Sequence, residues 1–300
     1  MEIPSTFRDK IIGAFREEGS SWLAGLEQLV ATYLDKWGLT SLGPVSNLSY
    51  NYVLKVVDED GNPGILKFGL AGRDFSNEVR AIEAYGGTGC ARILKTDIDN
   101  GVMLLEQLIP GTMLSQLEDE EQIIEEYIKV WKAIRRPRPS DGEFPSLGHW
   151  MEGLSRYQNS KAHLDGLISE ELVLKAQSYF RESSSENEEL LHGDLHHENI
   201  LYSDVHGWFA IDPKGVVGNP YFDLVSFLTN QLKDNPQEIL ELRINRLCDG
   251  LSLERLKLLK AALALSTLYA FWAVEDGDPD WLRPYQCAEW FLKWIEEDRE

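Results

Sequence analysis

Three residues at set spacing constrain this chain more than any other feature. Asp194 and Asn199 are separated by four residues, and Asp212 follows thirteen positions after Asn199. A short loop of that span can leave one carboxylate free to take a hydroxyl proton while a carboxamide oxygen five residues on reaches a metal ion. The intervening segment NILYSDVHGWFAID reads as two short strands, residues 200–202 and 208–211, joined by a turn at 204–207. Asp212 therefore leaves the end of the second strand and folds back beside Asn199. A hard cation such as Mg2+ prefers oxygen ligands, and Asn199 and Asp212 supply two, with nucleotide phosphates completing the shell. The chemistry implied is phosphoryl transfer from a nucleotide.

The same stretch has a competing reading. His192, Asp194, His196 and His197 resemble a zinc-hydrolase loop, but the order here is H-x-D-x-H-H, not H-x-H-x-D-H. His192 is better accounted for as a structural histidine whose ring bonds the loop backbone. An isolated Asp-x4-Asn carries little weight, because both residues are common in loops. Its pairing with a strand-terminal Asp carries the argument.

The run HGDLHHENIL followed by AIDPKG resembles the aminoglycoside phosphotransferase-like kinases, and the paired His and the DPKG resemble their streptomycin and hydroxyurea resistance branch. The resemblance is strong over residues 190–223 and fair over 45–114. It implies an α+β, protein-kinase-like fold of two lobes. A small N-terminal lobe with an antiparallel sheet and a helical lead-in (1–107) holds the nucleotide, and a larger, mainly helical C-terminal lobe (108–300) carries catalysis and acceptor binding. It also implies Asp194 as catalytic base, and Asn199 and Asp212 as Mg2+ ligands beside ATP. Protein kinases acting on proteins have Arg before the catalytic Asp and Phe-Gly after the metal Asp. This chain has Gly193 and Pro213-Lys214, which fits a small-molecule kinase.

A nucleotide lobe requires a lysine for the phosphates and a partner for it. Residues 45–57 read as strand, turn, strand, with Ser46, Asn47 and Ser49 in a polar turn whose amides could cover phosphates. No GxGxxG occurs. A turn at 58–64 leads to a third strand, GILKFG, carrying Lys67, and Glu78 lies eleven residues later in a helix with apolar Phe75, Val79, Ile82 and Tyr85. A strand Lys paired with a helix Glu is the kinase arrangement; the alternative is a surface pair worth under about 1 kcal/mol. The apolar run at 101–107 reads as a buried strand, and by resemblance the backbone from Glu106 to Leu108 reads the adenine edge. Lys214 is expected near the transferred phosphate or in a salt bridge to a neighbouring acid.

The remaining pattern is helical: 5–37 as one or two helices ending near Gly38, 118–136 stopped by Pro137 and Pro139, two helices over 150–181, a solvated loop at 183–189, and helices near 221–232, 234–248, 252–274 and 280–298. The apolar run in the third of these carries Lys257 and Lys260 and reads as a core helix rather than a membrane span. Three cysteines without metal-ligand spacing, and a polar start with no signal sequence, point to a reduced, cytoplasmic protein. A net charge of -21 opposes nucleic-acid binding and suits a small cationic or polyhydroxylated partner.

The acceptor reading rests on YAFWAVEDGDPDW. Trp272, Glu275, Asp276 and Asp278, with Asp280 and Trp281, surround a Gly-Pro turn, and carboxylates beside aromatic faces suit a polyhydroxylated cation. The alternative is a core Trp and a solvated, helix-capping turn. The resemblance to kinases whose C-terminal lobe holds the acceptor implies a streptomycin-type aminocyclitol first, and hydroxyurea or another small hydroxylated compound second. Kinases of similar fold act on choline, homoserine or sugar-amine compounds, and an idle kinase-like binding protein is the non-enzymatic alternative.

Overall fold

The computed structural model describes residues 3–140, 144–183 and 188–298, in two compact units, Met1–Gly111 and Thr112–Glu300. Most of the loop expected at 183–189 lies outside the described residues.

The first unit begins with helix α1 (Ser5–Trp37), broken at Arg16, whose φ of 50° and ψ of -122° interrupt the helical ladder. The expectation of one or two helices resolves as two segments, ended by Gly38 at φ 64°. Next come β1 (Leu39–Pro44), β2 (Tyr52–Asp58), β3 (Pro63–Phe68), helix α2 (Arg73–Tyr85), β4 (Ile93–Asp97) and β5 (Val102–Glu106). The sheet is antiparallel, in the order β1-β2-β3-β5-β4. Its first strand starts six residues earlier than the predicted start at Val45, directly after the Gly38 cap. Leu39, Tyr52, Leu54, Val56, Leu66, Phe68, Val102 and Leu104 form one core with Phe7, Ile11, Leu23, Leu26, Val30 and Tyr33 of α1. Each such side chain contributes about 1.5–3 kcal/mol on full burial. The helical lead-in is thus a structural layer of this unit. Strand β4 escaped the sequence reading because its pattern, partly exposed to exposed throughout, shows no alternation.

In the second unit, β6 (Pro110–Met113) crosses the boundary, and α3 (Glu120–Ile134) follows, its first turn capped by the Asp119 carboxylate. The helix stops at Ile134, before Pro137, and residues Arg136–Pro137 form the short strand β7. The two helices expected over 150–181 are α4 (Leu147–Met151), a 3-10 run (Glu152–Asn159), α5 (Lys161–Leu164) and α6 (Glu170–Ser183). Residues 189–218 supply β8 (Glu189–Leu191), β9 (Ile200–Ser203), β10 (Gly207–Ala210) and β11 (Val216–Gly218), with β9 and β10 an antiparallel hairpin as expected. Helices α7 (Val225–Thr229), α8 (Pro236–Leu251), α9 (Arg255–Asp276) and α10 (Leu282–Glu297) complete the chain. Among the described residues α9 alone is long and apolar enough to cross a membrane, and 72% of its most apolar window is buried, with α10 and α6 packed on it. It is the core helix that its Lys257 and Lys260 suggested.

Candidate active site

In the first unit β3 and α2 bring Lys67 Nζ to 2.5 Å from Glu78 Oε1, and Lys67 is only 2% exposed. Burial rules out the reading of an ordinary surface pair, since two charges leave water only when paired. The pairing follows from the packing of α2, which buries Phe75, Val79, Ile82 and Tyr85 along with Glu78. Ser46 and Asn47 form an exposed turn, and Ser49 accepts a hydrogen bond from Lys10 at 3.2 Å. At the end of β5, Glu106 accepts from the Arg92 main-chain nitrogen at 2.8 Å and from its guanidinium at 3.1 Å, and Leu108 is buried.

In the second unit the loop from His192 to Asn199 is held by bonds that leave its functional atoms available. His192 is fully buried. Its Nε2 lies 2.8 Å from the Ile211 carbonyl, so Nε2 donates, and Nδ1 then accepts the Asp194 N–H at 3.3 Å. Burial drives its pKa down to about 3, so the ring is neutral, as a structural histidine should be. His197 is buried too, stacked on Phe227 at 4.6 Å, its Nε2 accepting from Arg243 at 3.1 Å. Both rings are committed to the fold, and among the described residues no cluster of His, Cys, Asp and Glu suits a metal by itself. The zinc-hydrolase reading fails on these contacts.

Asn199 donates Nδ2 to the Asp194 carbonyl at 2.9 Å, which leaves Oδ1 for a cation. Asp212 follows β10 with φ at 58°, a left-handed conformation that costs a non-glycine residue about 1–2 kcal/mol. The turn it makes is fixed from both sides: the Ile211 N–H meets the Asn199 carbonyl at 2.9 Å, and the Lys214 N–H meets the His192 carbonyl at 2.7 Å. The Asn199 backbone and the Asp212 turn are therefore joined through Ile211, and a carboxamide and a carboxylate are the hard oxygen donors that Mg2+ prefers.

Burial raises the Asp194 pKa, and His196 and Lys214 oppose the rise. His196 Nε2 is 3.7 Å from Asp194 Oδ1, and Lys214 Nζ is 3.9 Å from Oδ2. Of the two expectations for Lys214, the structure has it beside Asp194 with more than half its side chain exposed. His196 Nδ1 is 2.9 Å from Glu198 Oε2 and 3.2 Å from the Glu198 main-chain nitrogen. The Glu198 main-chain N–H donates to that ring nitrogen, and the carboxylate stands beside it as a charge neighbour. Burial pulls the His196 pKa down, but its carboxylate neighbours outweigh burial and leave it raised; the same pair holds Glu198 at about 2 against its own burial.

Sequence reasoning missed Asp223. Its fully buried carboxylate accepts the main-chain N–H groups of His192 at 3.2 Å and Gly193 at 2.7 Å, and burial raises its pKa to about 6 against those bonds. No motif marks it, because its partners are main-chain atoms thirty residues away.

A cavity of about 490 Å3 opens beside Asp194 and His196. Its wall includes Ser226 and Asn230, the Tyr269 ring, and the exposed cations Lys233 and Arg283. The Ser226 and Tyr269 hydroxyls lie 3.2 Å apart. None of Trp272, Glu275, Asp276 and Asp278 lines it. Trp272 packs on Trp150 and Tyr269, Glu275 pairs with Arg156 at 2.8 Å, Asp276 ends α9, and Asp278 caps the Asp280 N–H at 2.9 Å. Of the alternative, a core Trp and a solvated turn with a helix-capping Asp, the cap is seen at Asp278, whereas Glu275 is held by Arg156.

The profile of the aminoglycoside/hydroxyurea antibiotic resistance kinase family matches residues 36–277. The chain belongs to that family. It is 29% identical over 286 residues to streptomycin 6-kinase of Streptomyces glaucescens, covering 92% of each chain. It is 28% identical to hydroxyurea phosphotransferase of Kitasatospora aureofaciens, over 93% of this chain and 82% of that one. Among solved structures it is similar to aminoglycoside phosphotransferase APH(4)-Ia bound to ADP and hygromycin B, with a TM-score of 0.65 and 13% identity, covering 89% of this chain and 98% of that one. The fold is protein-kinase-like, and the chain is a member of a family of small-molecule kinases.

Proposed function

We propose that this protein transfers the γ-phosphoryl group of ATP to a hydroxyl of a small molecule. The observation that carries the reading is the loop in which Asn199 bonds the Asp194 backbone and faces the Asp212 turn. Asp194 takes the acceptor hydroxyl proton as that oxygen bonds the γ-phosphorus, and the bond from phosphorus to the β–γ bridging oxygen breaks to release ADP. A buried carboxylate with a raised pKa suits a general base, being more basic than a solvated Asp, and His196 and Lys214 oppose the rise. Asn199 and Asp212 would hold Mg2+, which supplies charge neutralisation on the phosphates when bound.

Lys67, oriented by Glu78, binds the nucleotide phosphates; Ser46, Asn47 and Ser49 lie over them, and the Glu106–Leu108 backbone reads adenine. In this reading the units are a nucleotide lobe and a catalytic lobe. Lys214 neutralises charge on the transferred group. An idle binding protein has no use for the complete set of Lys67, Glu78, Asp194, Asn199 and Asp212.

The relatives support streptomycin-type aminocyclitols as acceptors. Hydroxyurea or another small uncharged compound is favoured by a separate observation: Lys233 and Arg283, not free carboxylates, accompany Asp194 at the cavity. Radiolabelled phosphate transfer from ATP with Mg2+ to streptomycin and to hydroxyurea, with choline and homoserine as comparators, tests the proposal. Transfer to one of the first two, lost in Asp194→Ala, supports it; turnover of choline or homoserine alone assigns the same chemistry to another substrate class.

A further inference from the structure

One buried cation in the second unit is bonded to both parts of the site. Arg243, on α8, is 0% exposed. Its Nε donates to Glu120 Oε1 at 2.5 Å, on α3. Its Nη1 donates to three carbonyls at the end of α7, those of Phe227 at 2.8 Å, Leu228 at 3.1 Å and Asn230 at 2.6 Å. Its Nη2 donates to His197 Nε2 at 3.1 Å, inside the loop between Asp194 and Asn199. The guanidinium also lies over the Phe227 ring at 4.9 Å, and that ring stacks with Tyr127 at 3.8 Å and with His197 at 4.6 Å. A positive charge suits a helix C-terminus, and only a planar fork of donors can serve three carbonyls, a carboxylate and an imidazole together.

The consequence lies in where those partners lead. The Phe227–Asn230 carbonyls belong to the segment that continues into Asn230, Gln231 and Lys233, one wall of the cavity beside Asp194. His197 stands between the catalytic base and Asn199. Because Nε2 accepts from Arg243, the His197 proton is on Nδ1, and the neighbouring polar side chain is Asn230, whose Oδ1 is buried without a partner among the described residues. A burial cost this large, set against a charge bonded to α3, the end of α7 and the loop of His197, is out of proportion for a helix that needs only apolar packing.

We propose that Arg243 is a positioning residue that locks the catalytic loop to the acceptor-side wall, so that both keep one relative arrangement without Arg243 touching either substrate. The words acceptor-side rest on the phosphotransferase reading; the locking itself does not.

Hydrogen exchange on the full-length protein without ATP or acceptor tests the lock directly. In Arg243→Lys, which keeps the charge and loses the fork, amide protection should fall by about tenfold or more in 193–199 and 227–233 together, while α9 keeps its protection. His197→Phe keeps the ring stack and deletes the Nε2 acceptor, so it should loosen 193–199 and leave 227–233 closed. Should Arg243→Lys not fold, Glu120→Gln leaves the guanidinium in place with a weaker anchor and should loosen both segments to a smaller degree. Loosening of one segment only in the Arg243 or Glu120 variant, or an even loss over the whole unit, overturns the proposal. With streptomycin or hydroxyurea as acceptor, Arg243→Lys should raise acceptor KM by on the order of tenfold and leave nucleotide affinity within about twofold. Unchanged acceptor KM in a variant with loosened segments overturns the functional half. Absence of turnover in the wild type speaks against the phosphotransferase reading alone, because the exchange measurement needs no substrate.

Discussion

The Asn199 side-chain nitrogen bonds the Asp194 main-chain oxygen at 2.9 Å, and this one contact commits the donor end of the amide to the loop backbone. Asn199→Asp would replace the donor with an acceptor and put two oxygens against each other. Transfer should fall by on the order of tenfold or more even though the new side chain could ligate Mg2+. Titration of activity with Mg2+ checks this: a variant that saturates at high Mg2+ with wild-type kcat would show that the loop bond is dispensable. Asp194→Ala should cost on the order of 100-fold or more in kcat with little change in nucleotide affinity.

Lys67 and Glu78 make a separable prediction about stability and function. Lys67→Met leaves Glu78 buried without its cation and should destabilise the protein by about 3–5 kcal/mol while weakening ATP binding. The double change Lys67→Met with Glu78→Leu should recover most of that stability and none of the transfer activity. Urea unfolding alongside ATP-consumption kinetics reads both. Recovery of activity in the double variant would remove the pair from the chemistry.

Two buried groups, His192 and the Asp223 carboxylate bonded to its main chain, titrate in opposite senses. His192 falls from its ordinary 6.5 to about 3, so its contribution to stability is complete above about pH 6.5 and is lost as pH falls. Asp223 rises from 3.8 to about 6, so its contribution is present below about pH 4 and is lost as pH rises through 6. Each spans two units or more, on the order of 3 kcal/mol, and between pH 4 and 6 they oppose one another. Relative to wild type, His192→Gln should grow more stable on going from pH 7 to pH 5, and Asp223→Asn less stable. Denaturant unfolding at both pH values checks the slopes; parallel slopes in all three proteins would contradict the burial argument.

Gly193 has φ at 80°, and a Cβ there would lie 2.9 Å from Val216 Cγ1, 3.2 Å from Lys214 Cβ and 3.3 Å from the Trp150 ring. Gly207, in the β9–β10 turn, has φ at 75° with nothing within 4 Å of such a Cβ. Gly207→Ala should cost about 1 kcal/mol in stability and leave transfer intact. Gly193→Ala adds overpacking of about 1–3 kcal/mol. It also displaces the main chain that Asp223 holds, so kcat should fall by on the order of tenfold. Equal kinetics in the two variants would mean that the loop tolerates the shift.

The hairpin between Asn199 and Asp212, the strand carrying Lys67 and the helix carrying Glu78 were legible in the chain because they are local. A turn, a two-residue alternation and a helical apolar stripe are written in neighbouring positions, and they bring these residues together at short range. The dependence of α1 on an apolar stripe and a terminal Gly was legible in the same way. What no local pattern could reveal depends on distant segments meeting. Asp223 reads as one more Asp until its carboxylate reaches the His192 and Gly193 amides, and Arg243 reads as a solvated helical cation until α3, α7 and the catalytic loop close over it. The acidic turn at 275–278 shows the converse. Its composition suggested ligand binding, yet Arg156, 119 positions away, takes Glu275, and the Asp278 carboxylate is used by its own turn. Residue type and spacing determined the chemistry available to this protein, and tertiary packing decided which charges remain free to perform it, because burial leaves a polar atom only the partners that the fold supplies.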